Sequence, residues 1–260
     1  MTFEITTKIG CSVNCLKYCP QEVITRRYTG ERILYYESFK NLIETIPSTV
    51  PIIFAGVSEP FGNPKTPDMI RYSNEKGHSI VVFSTLQGLT RWDAERIKHI
   101  PYREFIVHLP DNENIAYIRT TPEYYETLFT LIKSVKNIRF MNMGGCFKSD
   151  GHEEYFRGTQ TGKKTGRVIC FRHILPNYIM MPNGDVYFCC QTKGLTGKVG
   201  SLYENTYPEL LAKFKTISER LQTEPESICH YCTISESYWI YSYAVPAWEW
   251  LRNIRQRLKH

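Results

Sequence analysis

Between Pro51 and Leu109 the chain passes three times through a short apolar stretch, PIIFAG, SIVVFS and EFIVHL, with helical spacing in between. PIIFAG has no polar side chain, which suits a strand buried on both faces, as in a parallel sheet. Parallel neighbours need a crossover of a dozen or more residues, and the intervening segments are of that kind. The spacing predicts helices over Glu37–Ile46 with Ser38 as its cap, Thr66–Lys76, Thr90–His99 and Thr121–Lys136, the last opened by Pro122 in its first turn. FEITTKIG, residues 3 to 10, reads as the first strand, Ser79–Ser84 as the third, Glu104–Leu109 as the fourth and Asn137–Met143 as the fifth. This alternation implies an α/β chain with a parallel sheet and right-handed crossovers. Functional groups are then expected at the C-terminal ends of the strands. That rule nominates Ser84, Thr85, His108 and Asn142, each with an ordinary polar strand end as its alternative.

The first strand leads into KIGCSVNCLKYCPQE, where Cys11, Cys15 and Cys19 recur at four-residue steps. Three thiolates can hold three irons of a four-iron cube and leave the fourth iron open. An open coordination position is what a reactive metal site has and a structural one lacks. On a helix the same cysteines would share one face, as small buried hydrophobes or as three ligands of zinc. Pro20 and the weak helix formers Ser12, Val13 and Asn14 oppose a long helix.

Composition narrows the setting. The chain is 42% hydrophobic and 22% charged, with no apolar run near the roughly 20 residues that a membrane span needs. Met1 leads at once into the first strand, without a secretion signal, so a cytoplasmic, reducing location is expected. There, nine cysteines in clustered spacing favour metal ligation over a disulfide framework. The net charge of +6 is spread out, with no basic run that would predict nucleic-acid binding. A phosphate-bearing substrate or an acidic electron donor is compatible with it.

After Gly144-Gly145 the texture changes. The sequence divides into a domain over residues 1–150, a polar connection over 151–167 and a smaller unit over 168–260. Pro182-Asn183-Gly184-Asp185 turns between Ile179–Met181 and Val186–Phe188 as a β-hairpin, and a helix is expected over Pro208–Leu221. Cys170, Cys189, Cys229 and Cys232 can together enclose a second metal centre, either a cluster or a zinc ion. The aromatic-rich end from Ile234 to His260 is read as core packing, with a partner surface as the alternative.

The cysteine loop resembles that of the radical S-adenosylmethionine (SAM) superfamily, whose pattern CxxxCxφC has an aromatic residue where Tyr18 precedes Cys19. Here the loop is one residue longer, CxxxCxxxC. After the second strand, Gly56-Val57-Ser58-Glu59-Pro60 is similar to the family's GGEP turn, without its second glycine. Cys170, thirteen residues, Gly184, four residues and Cys189 match the opening of the family's SPASM pattern, in the shortened "twitch" form. The resemblance implies a partial (β/α) TIM-like barrel with a small C-terminal twitch domain made of the hairpin and a helix. It implies a 4Fe-4S cluster on Cys11, Cys15 and Cys19, and SAM contacts from Tyr18, Gly56, Ser58 and Glu59, whose carboxylate would meet the methionine ammonium. An auxiliary 4Fe-4S cluster would sit on Cys170, Cys189, Cys229 and Cys232, and a flavodoxin or ferredoxin-type protein would supply electrons.

The cysteine layout is that of short family members that oxidise an aminocyclitol. It therefore implies reductive cleavage of SAM, hydrogen abstraction from a small molecule and two-electron oxidation of an alcohol on a sugar-like or cyclitol-like substrate. Met143 and Phe83 stand at two positions matching substrate contacts in those members, so the substrate itself is not carried over. Three alternatives stay open. Cys146 or Cys190 could donate hydrogen in a radical epimerase; the chain could modify peptides, although no N-terminal peptide-recognition segment is expected; or it could be a non-enzymatic zinc-binding interaction protein.

Overall fold

A computed structural model describes residues 2–13, 15, 21–110, 116–142, 166, 168–170, 177–189, 197–223, 227–230 and 235–237. In chain order the elements are β1 (Thr2–Thr6), α1 (Gln21–Arg27), α2 (Tyr36–Ile43), β2 (Ile52–Ala55), a 3-10 turn (Pro60–Gly62), α3 (Thr66–Glu75), β3 (Ile80–Ser84), α4 (Arg91–Ile97), β4 (Glu104–Leu109), α5 (Pro122–Ser134) and β5 (Ile138–Asn142). Then follow β6 (Val168–Cys170), β7 (Asn177–Met180), β8 (Asp185–Tyr187), β9 (Lys198–Ser201), α6 (Tyr207–Thr223), a second 3-10 turn (Ser227–His230) and β10 (Ser235–Ser237).

Eight strands form one sheet in the order β5-β4-β3-β2-β1-β7-β8-β9, and β6 pairs with β10 in a separate antiparallel ribbon. Strands β1 to β5 are parallel throughout. This is the expected mixed α/β architecture, a partial β/α barrel. The hairpin β7–β8 does not stand off from it: β7 pairs in parallel with β1, Phe3 opposite Tyr178 and Ile5 opposite Met180.

Alternation along the strands decides which face meets the helices. Phe3, Ile5, Ile52, Phe54, Ile80, Val82, Phe105 and Val107 join one buried cluster with Phe39 and Leu42 of α2, Met69 of α3, Ile97 of α4 and Leu131 of α5. Burying side chains of this size contributes about 1.5–3 kcal/mol each. Tyr178, Val186 and Phe188 extend the cluster to Leu210 and Phe214 of α6. The intervening residue Ile179 lies on the other face, in a second cluster with Met181, Tyr187, Val57 and Ile24 of α1. That packing holds α1 over the opposite side of the sheet from α2 to α5.

The helix caps follow the sequence in part. Thr90 and Thr121 cap α4 and α5, accepting the N–H of Asp93 at 3.1 Å and of Tyr124 at 3.2 Å. Ser38 lies inside α2, whose N-cap position is Tyr35 with no side-chain cap. β1 stops at Thr6 instead of Gly10, because the next residues turn to residues 32–34: Ile9 N–H donates to Arg32 O at 2.7 Å and Leu34 N–H to Thr7 O at 2.9 Å. α1, β6, β9 and β10 add to the elements expected from the sequence. Among the described residues, no helix is long and apolar enough to cross a membrane.

Tyr178 is fully buried among the rings of Phe3, Tyr207 and Phe214, the last at 4.8 Å between centroids, and its hydroxyl has no hydrogen-bond partner among the described residues. An unsatisfied buried hydroxyl costs about 1–3 kcal/mol. Tyr178→Phe is therefore expected to stabilise the fold by about 1 kcal/mol, seen as a higher urea midpoint at unchanged slope. A lower midpoint would show that the hydroxyl has a partner in solution.

Candidate active site

The loops at the C-terminal ends of β1, β2 and β3 are tied into one assembly. Gly56 follows β2 with φ +94°, and a Cβ there would lie 2.0 Å from Thr6 Oγ1, so only glycine fits between the two strands. Thr6 Oγ1 accepts the Val57 N–H at 3.3 Å, Thr7 Oγ1 donates to Pro60 O at 2.8 Å, and Ser58 Oγ donates to Lys8 O. Asn63, buried, donates to Thr7 O at 3.0 Å and Leu34 O at 2.8 Å.

The first cysteine belongs to this assembly. The backbone N–H of Glu59 donates to Cys11 Sγ at 3.3 Å. The Cys11 N–H donates to Gln21 Oε1 at 3.2 Å, and Gln21 Nε2 donates to Val57 O. Gln21, at the start of α1, thus links the cysteine loop to the loop after β2. Val13 O accepts the Tyr117 N–H at 2.8 Å, which adds the segment after β4. Cys11 and Cys15 are half-buried, and a cleft of about 520 Å³ beside Cys11 is lined by Gly10, Ser12, Gln21, Glu22, Thr25 and Arg26.

Glu59 is buried and its carboxylate is fully engaged. Oε1 accepts from Ser84 Oγ at 2.6 Å and from the Phe61 N–H at 3.2 Å. Oε2 accepts from Thr85 Oγ1 and from the Thr85 N–H, both at 2.7 Å. Burial holds this carboxyl above its ordinary range, and the hydrogen bonds from Ser84, Thr85 and Phe61 offset only part of that rise. Ser84 Oγ also accepts the Leu86 N–H at 2.7 Å, holding Leu86 at φ +63°. Gln87 then exchanges two hydrogen bonds with the backbone of Arg119, both at 3.1 Å.

The remaining nominated residues fall as follows. His108, near the end of β4, meets the ring of Phe83 edge-on at 6.3 Å between centroids. Asn142 ends β5 opposite Leu109. Cys170 ends β6, which packs against the 3-10 turn that carries Cys229, while Cys189 follows β8 and is half-buried against the main core. Tyr18, Cys19, Cys146, Cys190 and Cys232 lie outside the described residues. Among the described residues no three His, Cys, Asp or Glu side chains converge as a metal site.

Cys11 and Cys15 nonetheless suit a cluster in their chemistry: soft donors in a half-buried loop, one of them already receiving the N–H that a ligating thiolate accepts. Sequence reasoning missed Gln21, Thr6, Thr7 and Asn63. The spacing of Ile24 and Tyr28 on the apolar side of QEVITRR is the signal that could have located α1, and with it Gln21.

No family model matches the chain, and no curated protein matches it in sequence. Solved structures do match in shape. BtrN, the butirosin radical SAM dehydrogenase, in complex with AdoMet and 2-DOIA is 13% identical with a TM-score of 0.58, covering 91% of this chain and 93% of its own. BtrN in an open conformation has the same identity and TM-score over 85% of each chain. The anaerobic sulfatase-maturating enzyme anSMEcpe with bound AdoMet is 10% identical with a TM-score of 0.55, covering 90% of this chain and 86% of its own. The chain therefore shares the fold of these radical SAM enzymes.

Two substitutions test this loop assembly. Gln21→Leu keeps the side chain's bulk but strands the Cys11 N–H and Val57 O, and is expected to cost about 1–3 kcal/mol in urea unfolding. Gly56→Ala, blocked by both φ and the Thr6 hydroxyl, is expected to cost at least as much, about 3 kcal/mol. If both unfold like wild type, the two loops are not joined as described.

Proposed function

We propose that this chain is a radical SAM enzyme that carries out the two-electron oxidation of an alcohol on a sugar-like or cyclitol-like small molecule. Cys11, Cys15 and Cys19 would hold a 4Fe-4S cluster, and Cys170, Cys189, Cys229 and Cys232 an auxiliary one. The observation that carries the reading is the Glu59 N–H to Cys11 Sγ hydrogen bond at 3.3 Å. It joins the two stretches that separately resemble the cluster loop and the SAM-binding turn, and it does so at the C-terminal ends of parallel strands in a radical SAM fold. When bound, the first cluster with SAM supplies reductive sulfonium cleavage and hence hydrogen-atom abstraction.

The protein's own groups bind, orient and shield. Gly56 lets backbone approach ligand where a side chain would not fit. Ser58, Ser84 and Thr85 donate their hydroxyl protons within the protein, and so act by fixing the loops around the ligand. His108 and Asn142, at the ends of β4 and β5, would line the nucleoside side, with Phe83 fixing the imidazole edge-on. BtrN, bound to AdoMet and 2-DOIA in its solved complex, is the neighbour that favours oxidation of a small ring over the alternatives. A flavodoxin or ferredoxin-type donor and a reducing, cytosolic setting belong to the same proposal.

Anaerobic purification and reconstitution provide the test. About eight irons per chain are expected, and with dithionite and SAM the protein should form methionine and 5′-deoxyadenosine. Cys11→Ala should abolish both products. Zinc without iron would overturn the proposal, and deuterium entering the substrate from heavy water would replace oxidation by epimerisation.

A further inference from the structure

The resemblance gives the glutamate of the turn after β2 to the ligand's ammonium group. The geometry of this chain gives it another task. An ionised carboxylate has about four acceptor sites, and here four donors of the protein take them: the Ser84 and Thr85 hydroxyls and the Phe61 and Thr85 N–H groups. The group is buried, so an ammonium reaching it would have to displace one of these partners. Two of the four are backbone donors, one on each oxygen, and cannot rotate away.

From this we infer that Glu59 is a positioning residue whose side chain clamps its own peptide against the cluster loop, and not the direct counter-ion of the ligand amine; the inference rests on the radical SAM reading above. The path is short. The carboxylate is fastened to the β3 end through Ser84 and Thr85, and the backbone N–H of the same residue points at Cys11 Sγ. Loosening the side chain moves the N–H, and with it a hydrogen bond to a cluster sulfur, one of the levers that tune such a cluster. The clamp continues outward. Ser84 Oγ holds Leu86 in the left-handed region, and Gly88, φ +94°, brings its backbone so close to Phe61 O that a Cβ would lie 2.3 Å from it. The loop after β3 is thereby folded onto the turn that contains Glu59.

The arrangement makes a specific statement about isosteres. In Glu59→Gln the amide nitrogen, on whichever side it sits, faces a backbone N–H that cannot accept, so the amide is not a conservative replacement. Ser84→Ala and Thr85→Val keep the charge and remove one donor each. Thr85→Ser keeps the donor.

Two measurements on the reconstituted holoenzyme test the inference. The EPR spectrum of the reduced cluster, recorded before SAM is added, is expected to change in Glu59→Gln and in the Ser84→Ala/Thr85→Val double variant, and to match wild type in Thr85→Ser. SAM affinity by equilibrium dialysis is expected to fall about tenfold or more in Glu59→Gln and in the double variant, with little further loss when all three changes are combined. A direct amine contact gives the opposite pattern: wild-type spectra without SAM, a loss of affinity in Glu59→Gln alone, and near-wild-type binding in the double variant. That result overturns the inference while leaving the cofactor reading intact. If wild type takes up no iron or binds no SAM, the cofactor reading fails instead. The clamp is then judged by urea unfolding, where additive costs of Glu59→Gln and Ser84→Ala would overturn it and coupled costs would support it.

Discussion

A buried carboxylate is costly unless its charge is met on the spot, and the cost at Glu59 is met by groups from the β3 end and from its own turn. Because those donors must converge, the loops after β2 and β3 cannot vary independently. Ser84 and Thr85 have to sit at the strand end, and Phe61 has to lie in a tight turn that begins at Pro60, with Glu59 as its cap. Leu86 is drawn into an unfavourable left-handed conformation by the same requirement, a strain of about 1–3 kcal/mol held by the surrounding hydrogen bonds.

A second constraint acts on the other side of β1. By pairing in parallel with β7, β1 becomes an interior strand and is buried on both faces, with Phe3 and Ile5 toward the helices. Glu4, on the opposite face, accepts from Asn177 Nδ2 at 2.9 Å, so the polar residue is satisfied across the new pairing. The hairpin also supplies Ile179, Met181 and Tyr187, against which Ile24 of α1 packs. Cys11 is consequently fixed from two sides, by the end of β1 and by Gln21 of a helix seated on β7 and β8.

The strands were legible because their signal is local. EFIVHL and SIVVFS are apolar, rich in β-branched residues and bounded by turns, and β4 falls on Glu104–Leu109 as the pattern expects. Thr90 and Thr121 were legible as caps for the same reason. Ser38 was not, because a serine near a helix start caps only if the chain enters at that residue, and packing of Phe39 and Leu42 goes with an entry three residues earlier, at Tyr35. The attachment of β7 to β1 spans some 175 residues of sequence, and nothing in either segment names its partner. At the site, Gly56 and Glu59 stood out by type and position. Gln21, Thr6 and Thr7 did not, since a glutamine or threonine acquires a role only from the carbonyl or N–H that the fold brings to it.

Most links in the assembly run through backbone atoms. Cys11 receives an N–H, Gln21 bridges an N–H and a carbonyl, Thr7 and Ser58 donate to carbonyls, and Tyr117 donates to the carbonyl of Val13. The backbone half of each link is present whatever the residue there, so sequence is constrained only at the side-chain half, as long as the strand ends keep their relative positions. The chain is only 13% identical to BtrN, yet follows its fold over 91% of its length. The positions that cannot drift under this logic are few: a glycine where Cβ has no room, and a carboxylate whose four acceptor sites match four fixed donors. In this chain those are Gly56 and Glu59, whereas Val57 between them meets neither demand, and its side chain is buried in the cluster around α1.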